Sequence, residues 1–170
     1  MRTTIFLSTL YLVFAFFACN RSDNGYDNLP NWTNRIVQLN EHNSKKVSIR
    51  EGFAGTLTLR DGDCMPVVGS TCREYPVSRR IRIYEATSIS ESHNAGGGFY
   101  DSVDSKLIAT IKTDQEGFFQ YTVVPGTYSI FIEENGKLYA NSSNSSVINA
   151  VIVDAGKVGN GNVQIDDATD

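Results

Sequence analysis

The chain has 170 residues, of which 41% are hydrophobic and 20% charged, and its 15 Lys and Arg against 19 Asp and Glu give a net charge of −4. No basic cluster offsets this balance, so nucleic acid, which is bound through clustered positive charge, is excluded as an expected partner. The length suits a single folded domain behind a leader, and no internal repeat indicates a second one.

The first 18 residues have the features of an export signal rather than of a folded domain. Arg2 supplies the positive start, and the apolar run from Ile5 to Ala18 is shorter than the roughly 20 residues that span a bilayer. The end of this run, Phe16 to Cys19, resembles a bacterial lipobox, which implies that Cys19 is lipidated, for example with palmitate, and becomes the mature N-terminus. An ordinary secreted protein is the alternative, but no A-x-A cleavage triplet is present.

Residues 19–46 are rich in Asn, Asp and Ser, and they predict a flexible tether between the lipidated cysteine and a domain at 47–170. Trp32 is the exception within this segment. It could bind a partner, or it could dock on the edge of the domain together with Ile36.

Cys64 and Cys72 form an even pair in an exported chain, and this predicts a disulfide. A metal or redox pair would favour C-x-x-C spacing or nearby histidines, whereas the chain has only His42 and His93. We therefore expect no metal site and no cofactor.

The first strands are predicted at Gly55 to Arg60 and Arg80 to Tyr84, and a long insertion, Ala86 to Lys106, follows them. Its tip combines a glycine hinge with two aromatic residues, which is typical of a recognition loop. The candidate partner-binding residues there are Gly96, Gly97, Gly98, Phe99 and Tyr100. Alternatively, the two aromatic rings fold back over a sheet face and the glycines only turn the chain.

Ser102 lies within this insertion, in the tripeptide Asp101-Ser102-Val103. The tripeptide resembles the short O-glycosylation consensus of exported proteins in the Bacteroidota. It makes Ser102 a candidate glycosylation site.

The stretch from Thr113 to Glu133 alternates apolar and polar residues on both sides of a Pro125-Gly126 break, and this period of two predicts two half-buried strands. Asp114 can accept hydrogen bonds from following backbone N–H groups, and Gly117 can adopt positive φ, so a turn precedes the first strand. Pro125 and Gly126 suit a type II turn, which would join the two strands as a hairpin.

This stretch resembles a family, the carboxypeptidase regulatory-like module of the transthyretin-like β-sandwiches. The resemblance is carried by the pattern T-D-x-x-G-x-F followed by P-G-T-Y-S-I, in residues Thr113, Asp114, Gly117, Phe119, Pro125, Gly126, Thr127, Tyr128 and Ser129. It implies a fold rather than an activity, because the matched residues form turns and core.

Later strands are expected at Lys137 to Ala140, Val147 to Val153 and Asn162 to Ile165. The total of seven or eight short strands predicts an all-β, antiparallel, transthyretin-like sandwich. Several strands carry apolar groups on both faces, so either the long insertion or a partner covers the second face.

The sequence offers no catalytic constellation. It has no zinc-peptidase pairing of His and Glu and no G-x-S-x-G elbow, so we expect a protein that is not an enzyme. The expected function is a lipid-anchored binding or structural module of the outer membrane or cell surface, with a carbohydrate or an envelope protein as partner. A periplasm-facing position stays open, and a fimbrial or adhesin-type subunit that donates its tether or tail as a strand is the alternative.

Overall fold

A computed structural model describes residues 31–144 and 146–169, and Trp32 begins the compact unit that carries the fold. This part of the chain has one α-helix, α1 (Ile36–Ser44), and one short 3-10 turn at Ile89–Glu91. The strands are β1 (Gly52–Asp63), β2 (Arg73–Pro76), β3 (Arg80–Glu85), β4 (Ser92–Gly96), β5 (Phe99–Val103), β6 (Leu107–Lys112), β7 (Phe118–Tyr121), β8 (Gly126–Glu134), β9 (Lys137–Tyr139), β10 (Ser143–Asn144), β11 (Val147–Ile148), β12 (Ala150–Val153), β13 (Val158–Asn160) and β14 (Val163–Thr169).

The predicted all-β sandwich class is confirmed. The described residues form more strands than the seven or eight expected. The long insertion contributes two of its own, and the stretch from Val147 to Val153 is divided at Asn149, which has a positive φ of 39°.

The first sheet is built around β1, which is long enough to pair with four other strands. It pairs antiparallel with β2 and β7, and parallel with β13 and β14. The pairing with β14 runs from Leu57–Val163 to Asp63–Thr169, so residues 163–169 are paired within this sheet.

The second sheet has the order β4-β5-β9-β8-β3-β6, and β12 also pairs with β8. One main core lies between the two sheets, where Phe53, Leu57 and Phe119 of the first meet Ile83 and Ile130 of the second. The opposite face of the second sheet carries a smaller buried cluster made of Tyr84, Tyr100, Phe131, Leu138, Ala140 and Ile148.

The predicted hairpin at Thr113 to Glu133 is wrong, although both of its strands exist. β7 pairs with β1 in the first sheet, whereas β8 pairs with β3, β9 and β12 in the second. The chain therefore crosses between the sheets at residues 122–125. Gly126 is not among the glycines with positive φ, so it begins β8 instead of completing a type II turn.

The turn before β7 agrees with the prediction. Asp114 Oδ1 accepts hydrogen bonds from the backbone N–H groups of Glu116 at 2.8 Å and Phe118 at 2.9 Å. Gly117 has a φ of +70°, and a Cβ added to it would lie 2.2 Å from the Leu57 carbonyl oxygen. Glycine is therefore required there both for its conformation and for its close contact with β1.

The long insertion folds as the β4–β5 hairpin and extends the second sheet through pairing of β5 with β9. Tyr100 is buried at 9% exposure, and its ring centroid lies 5.5 Å from that of Phe131. The insertion thus helps to cover the second apolar face of its own sheet.

Residues 32–46 differ from the predicted flexible tether, because from Trp32 onward the chain is ordered against the sandwich. Leu39 of α1 has 0% exposure and Asn43 has 2%. The prediction relied on the polar composition of this segment. Much of the contact between the segment and the sandwich is nevertheless made through hydrogen bonds rather than through buried apolar surface. The predicted signal peptide at 1–18, the predicted lipidation site Cys19 and the first part of the predicted tether lie outside the described residues.

Candidate functional site

The helix α1 is attached to the sandwich through the carboxylate of Glu116, which lies in the turn between β6 and β7. Trp32 Nε1 donates to Glu116 Oε1 at 2.9 Å, His42 Nε2 lies 3.0 Å from Oε2, and Lys46 Nζ lies 2.6 Å from Oε2. We refer to Trp32, His42, Lys46 and Glu116 as the Glu116 cluster. Of the two possibilities given for Trp32, the structure agrees with docking, because its indole contacts the domain through Glu116.

Opposing effects act on the ionisation of this cluster. Burial raises the pKa of Glu116, but hydrogen bonds from Lys46 and Trp32 and the charge of Lys46 outweigh it, so the pKa lies below its usual 4.5. Burial likewise lowers the pKa of Lys46, but Asp114 and Glu116 outweigh it and the pKa lies above 10.5. Glu116 and Lys46 are therefore both charged at neutral pH, and they hold α1 electrostatically as well as by hydrogen bonds.

Asn43 makes a second connection between α1 and the first sheet. Its Nδ2 donates to Thr56 Oγ1 at 3.0 Å and to the Glu116 carbonyl oxygen at 2.9 Å. Because a carbonyl oxygen only accepts, these bonds fix which end of the amide is nitrogen. The Asn43 Oδ1 consequently points away from both partners.

A cleft of about 400 Å³ lies between α1 and the first sheet, and we call it the α1 cleft. It falls within the range of about 300–1,000 Å³ that is typical of small-molecule sites. Its walls come from α1 and the residues after it, from β1, and from β13 and the residues after it. They comprise Asn40, Asn43, Ser44, Val47, Ala54, Gly55, Thr56, Phe118, Val158, Gly159, Asn160 and Asn162.

Two residues that line the α1 cleft, Asn40 and Asn43, each have a side-chain oxygen that accepts no hydrogen bond from any described residue. Both oxygens are closed to solvent, so they lie behind the surface of the cleft rather than on it. An unsatisfied buried polar atom costs about 1–3 kcal/mol.

The opposite wall offers donors. Asn162 Oδ1 accepts from the backbone N–H of Thr56 at 2.8 Å, and Asn160 Oδ1 accepts from the backbone N–H of Asn162 at 3.0 Å. These bonds occupy the oxygens and hold both side chains in place. Among the described residues, no hydrogen bond occupies their amide nitrogens, which stay available to a ligand.

Two smaller depressions adjoin the α1 cleft. One, of about 150 Å³, shares Asn40, Thr56 and Asn162 with it, and the other, of about 200 Å³, shares Asn160 and Asn162. Their linings add amide and hydroxyl side chains, apolar residues and the carboxylate of Glu74. An extended ligand could occupy more than one of these spaces.

The predicted site residues lie elsewhere. Phe99 is half-buried and packs on Tyr139 with ring centroids 5.1 Å apart, and Tyr100 is buried, which agrees with the alternative that the two rings fold back over a sheet. Partner binding by this hairpin stays a prediction. The glycines Gly96 and Gly97 are exposed, and Gly98 is half-buried under Tyr139. Ser102 is exposed on β5, where a modifying enzyme could reach it.

The predicted disulfide is confirmed. Cys64 and Cys72 are bonded, with their Cα atoms 4.5 Å apart, and they close the loop between β1 and β2. Within residues 31–144 and 146–169, no cluster of three or more His, Cys, Asp or Glu could hold a metal ion. The same part of the chain contains no helix long and apolar enough to cross a membrane.

Sequence reasoning missed the asparagines of the α1 cleft. The only available signal was the Gly-Asn-Gly-Asn run at residues 159–162, which reads as an ordinary loop. Comparison with protein families, with curated proteins and with solved structures finds no match to this chain.

Proposed function

We propose that this protein is an exported, lipid-anchored, non-catalytic binding module, and that it captures an envelope ligand in the α1 cleft. The observation that carries the proposal is the α1 cleft itself, which has a volume of about 400 Å³ and a lining that includes the exposed side chains of Asn160 and Asn162. Among the described residues, nothing accepts a hydrogen bond from their amide nitrogens, so these can donate to a ligand.

The part of this proposal that concerns the lipid anchor is supported mainly by the sequence. The lipobox-like residues Phe16 to Cys19 support lipidation of Cys19, and the confirmed disulfide agrees with export to an oxidising compartment. The residue pattern at Thr113 to Ser129 supports kinship with the carboxypeptidase regulatory-like modules, whose sandwich would present the α1 cleft outside the membrane.

Anchoring is tested by comparing wild type with Cys19→Ala in a Gram-negative host that is fed an alkyne analogue of palmitate. We expect the wild type to be labelled and to fractionate with membranes, and the variant to be unlabelled and released. Equal labelling of the two proteins would contradict lipidation of Cys19. Proteinase K added to intact cells then distinguishes surface display, in which the band is lost, from a periplasmic position.

Ligand capture is tested by co-sedimentation of the full chain with an insoluble envelope fraction. Ser44→Trp places an indole in the α1 cleft, whereas Glu41→Trp places one on an exposed part of the same helix. We expect Ser44→Trp to lose at least about 90% of the sedimented protein and Glu41→Trp to behave as wild type. Equal sedimentation of both variants would show that the cleft is not the binding site.

A further inference from the structure

The loop between β1 and β2, residues 64–72, displays apolar side chains to solvent, and we call it the disulfide loop. Met65 is 46% exposed, Val67 is 53% exposed and Val68 is fully exposed. No residue of the loop is charged. Single exposed apolar side chains are ordinary on a folded protein, but three of them in one short loop form a patch that is typical of a contact surface.

The disulfide loop is held in one shape by bonds of its own. The disulfide closes it, and Ser70 Oγ donates to the Asp63 carbonyl oxygen at 2.7 Å. Met65 N–H donates to Asp63 Oδ1 at 3.0 Å, Val67 N–H donates to the Met65 carbonyl oxygen at 2.8 Å, and Pro66 has no N–H. Apolar surroundings penalise unpaired backbone groups, so this pairing lowers the cost of placing the loop in them.

The N-terminal end of the described chain lies beside the disulfide loop. Asn34 Nδ2 donates to the Cys72 carbonyl oxygen at 3.4 Å, and Asn34 N–H donates to the Glu74 carbonyl oxygen at 2.7 Å. The described residues begin at Asn31, about 12 positions after Cys19, and a chain of that length spans at most about 40 Å. A lipid on Cys19 would therefore keep this end of the sandwich close to the bilayer.

The charges at the base of the disulfide loop indicate which membrane surface it suits. Asp61 and Asp63 precede the loop, and Asp167 lies opposite Asp61 on β14. Arg73 follows the loop and pairs with Asp61 at 3.2 Å. Acidic groups thus outnumber basic ones, whereas anionic lipids are bound by clustered Lys and Arg. A zwitterionic phospholipid surface, which has no net charge, is the better match.

We propose that the disulfide loop is a second membrane contact, and that its tip, Met65, Val67 and Val68, enters the interface of a zwitterionic bilayer beside the lipid anchor. The α1 cleft is lined by Gly55 near the start of β1, whereas the loop follows Asp63 at the end of this strand. At about 3.3 Å per residue, the two positions are about 25 Å apart along β1. The contact would hold the α1 cleft away from the lipid. This inference rests on the proposed function, because it needs the proposed lipid anchor.

The first experiment measures whether the tip reaches the acyl chains. The full chain with Val68→Trp is purified from a Gram-negative host and reconstituted into phosphatidylcholine vesicles, with or without bromine on the acyl chains. Bromine quenches only tryptophans that it contacts, and the signal of Trp32, measured in wild type, is subtracted. We expect the emission of the added tryptophan to fall at least about twofold, because an apolar tip partitions into the interface.

Val124→Trp is the matched control, because Val124 is also an exposed valine, at 68%, but lies at the other end of β1. It follows β7, whose Tyr121 pairs with Phe53 near the start of β1. Its tryptophan should not be quenched. Equal quenching of the two variants would overturn the proposal.

The second experiment tests whether the apolar tip drives the contact. Met65→Trp serves as the reporter, and adding Val67→Ser and Val68→Ser should reduce its quenching to the wild-type background, whereas adding Val124→Ser should not. All of these side chains are exposed, so the melting temperatures should match wild type. Quenching that survives the two serines, or that occurs only when phosphatidylglycerol replaces phosphatidylcholine, would overturn the proposed contact.

Flotation of the same vesicles distinguishes failure of this inference from failure of the proposed function. A wild-type chain that floats with the vesicles, together with an unquenched Val68→Trp, would overturn the loop contact and leave the lipid anchor standing. The tip would then be a surface for a protein partner. A wild-type chain that does not float would contradict the lipid anchor, and the inference with it.

Discussion

Glu116 is the residue through which the N-terminal segment depends on the sandwich. It accepts hydrogen bonds from Trp32 and His42 and pairs with Lys46, and its side chain is only 11% exposed. Few apolar side chains of α1 are buried, so the polar contacts of Glu116 supply much of its attachment.

We expect Glu116→Gln to lower the free energy of unfolding by about 1–3 kcal/mol, because the amide keeps one acceptor and leaves Asp114 as the remaining ionised partner of Lys46. Glu41→Gln, on the exposed surface of α1, should change it by less than about 0.5 kcal/mol. Urea denaturation measures both. Because Trp32 is the only tryptophan of the chain, its fluorescence separately reports whether α1 stays docked. Equal effects of the two substitutions would contradict the role of Glu116.

The lowered pKa of Glu116 also predicts how stability depends on pH. A carboxyl whose folded pKa lies below its unfolded value of about 4.5 contributes stability that is fully present above that value. The contribution is lost as pH falls below 4.5 through the folded pKa. The stability that Glu116 adds, measured by urea denaturation as the difference between wild type and Glu116→Gln, should thus be largest at neutral pH and shrink as pH falls below about 4.5. An identical acid transition in the variant would contradict this account.

At the residue scale, the sequence predicted local backbone conformation better than it predicted which residues pair with each other. Asp114 and Gly117 form the turn that their chemistry indicates. Gly126 has no positive φ even though Pro precedes it, because it already belongs to β8 and pairs there with Val153. This pairing belongs to the tertiary structure and has no local signal.

At the element scale, the disulfide closes the end of the β1–β2 pair. Its loop spans a sequence separation of 8, for which the chain-entropy model gives about 2.5 kcal/mol at 25 °C. Replacing both Cys64 and Cys72 by Ala should lower the free energy of unfolding by about that amount, and reduction of the wild type should have a similar effect. Chemical denaturation with and without reductant checks the value, and a change below about 0.5 kcal/mol would show that the loop is held mainly by its other contacts.

The β4–β5 hairpin is a structural element rather than a loose loop. Tyr100→Ala should destabilise the domain by about 3–5 kcal/mol, because it removes a buried ring that packs edge-on against Phe131. Ser102→Ala, exposed on the same strand, should have almost no effect on stability. Thermal melts of both variants decide the matter, and a wild-type melting temperature for Tyr100→Ala would restore the interpretation of this hairpin as a mobile recognition loop.

Strand positions were largely predictable, but strand partners were not. A period of two in β7 and β8 indicates which side chains face a core, and that much agrees with the buried Phe119, Ile130 and Ile132. The same pattern suits a hairpin and a crossing between two sheets equally well, because both give each strand one buried face. β7 and β8, which are neighbours in sequence, therefore lie in opposite sheets although both fit the predicted pattern.

At the scale of the whole molecule, the candidate site could not be predicted from the sequence. Asn43 and Asn162 are separated by more than 100 positions, and they meet only because β1 pairs with β13 and α1 packs beside β1. Asparagines in polar segments read as loop or tether residues. That several of them line one cleft appears only in the folded chain.

Binding through the α1 cleft is tested most directly by hydrogen–deuterium exchange of the full chain with and without a solubilised envelope fraction. We expect slower exchange in α1 and in residues 158–162, with unchanged exchange in the β4–β5 hairpin. Slower exchange at residues 96–100 with no change in α1 would contradict it and place binding at the hairpin instead.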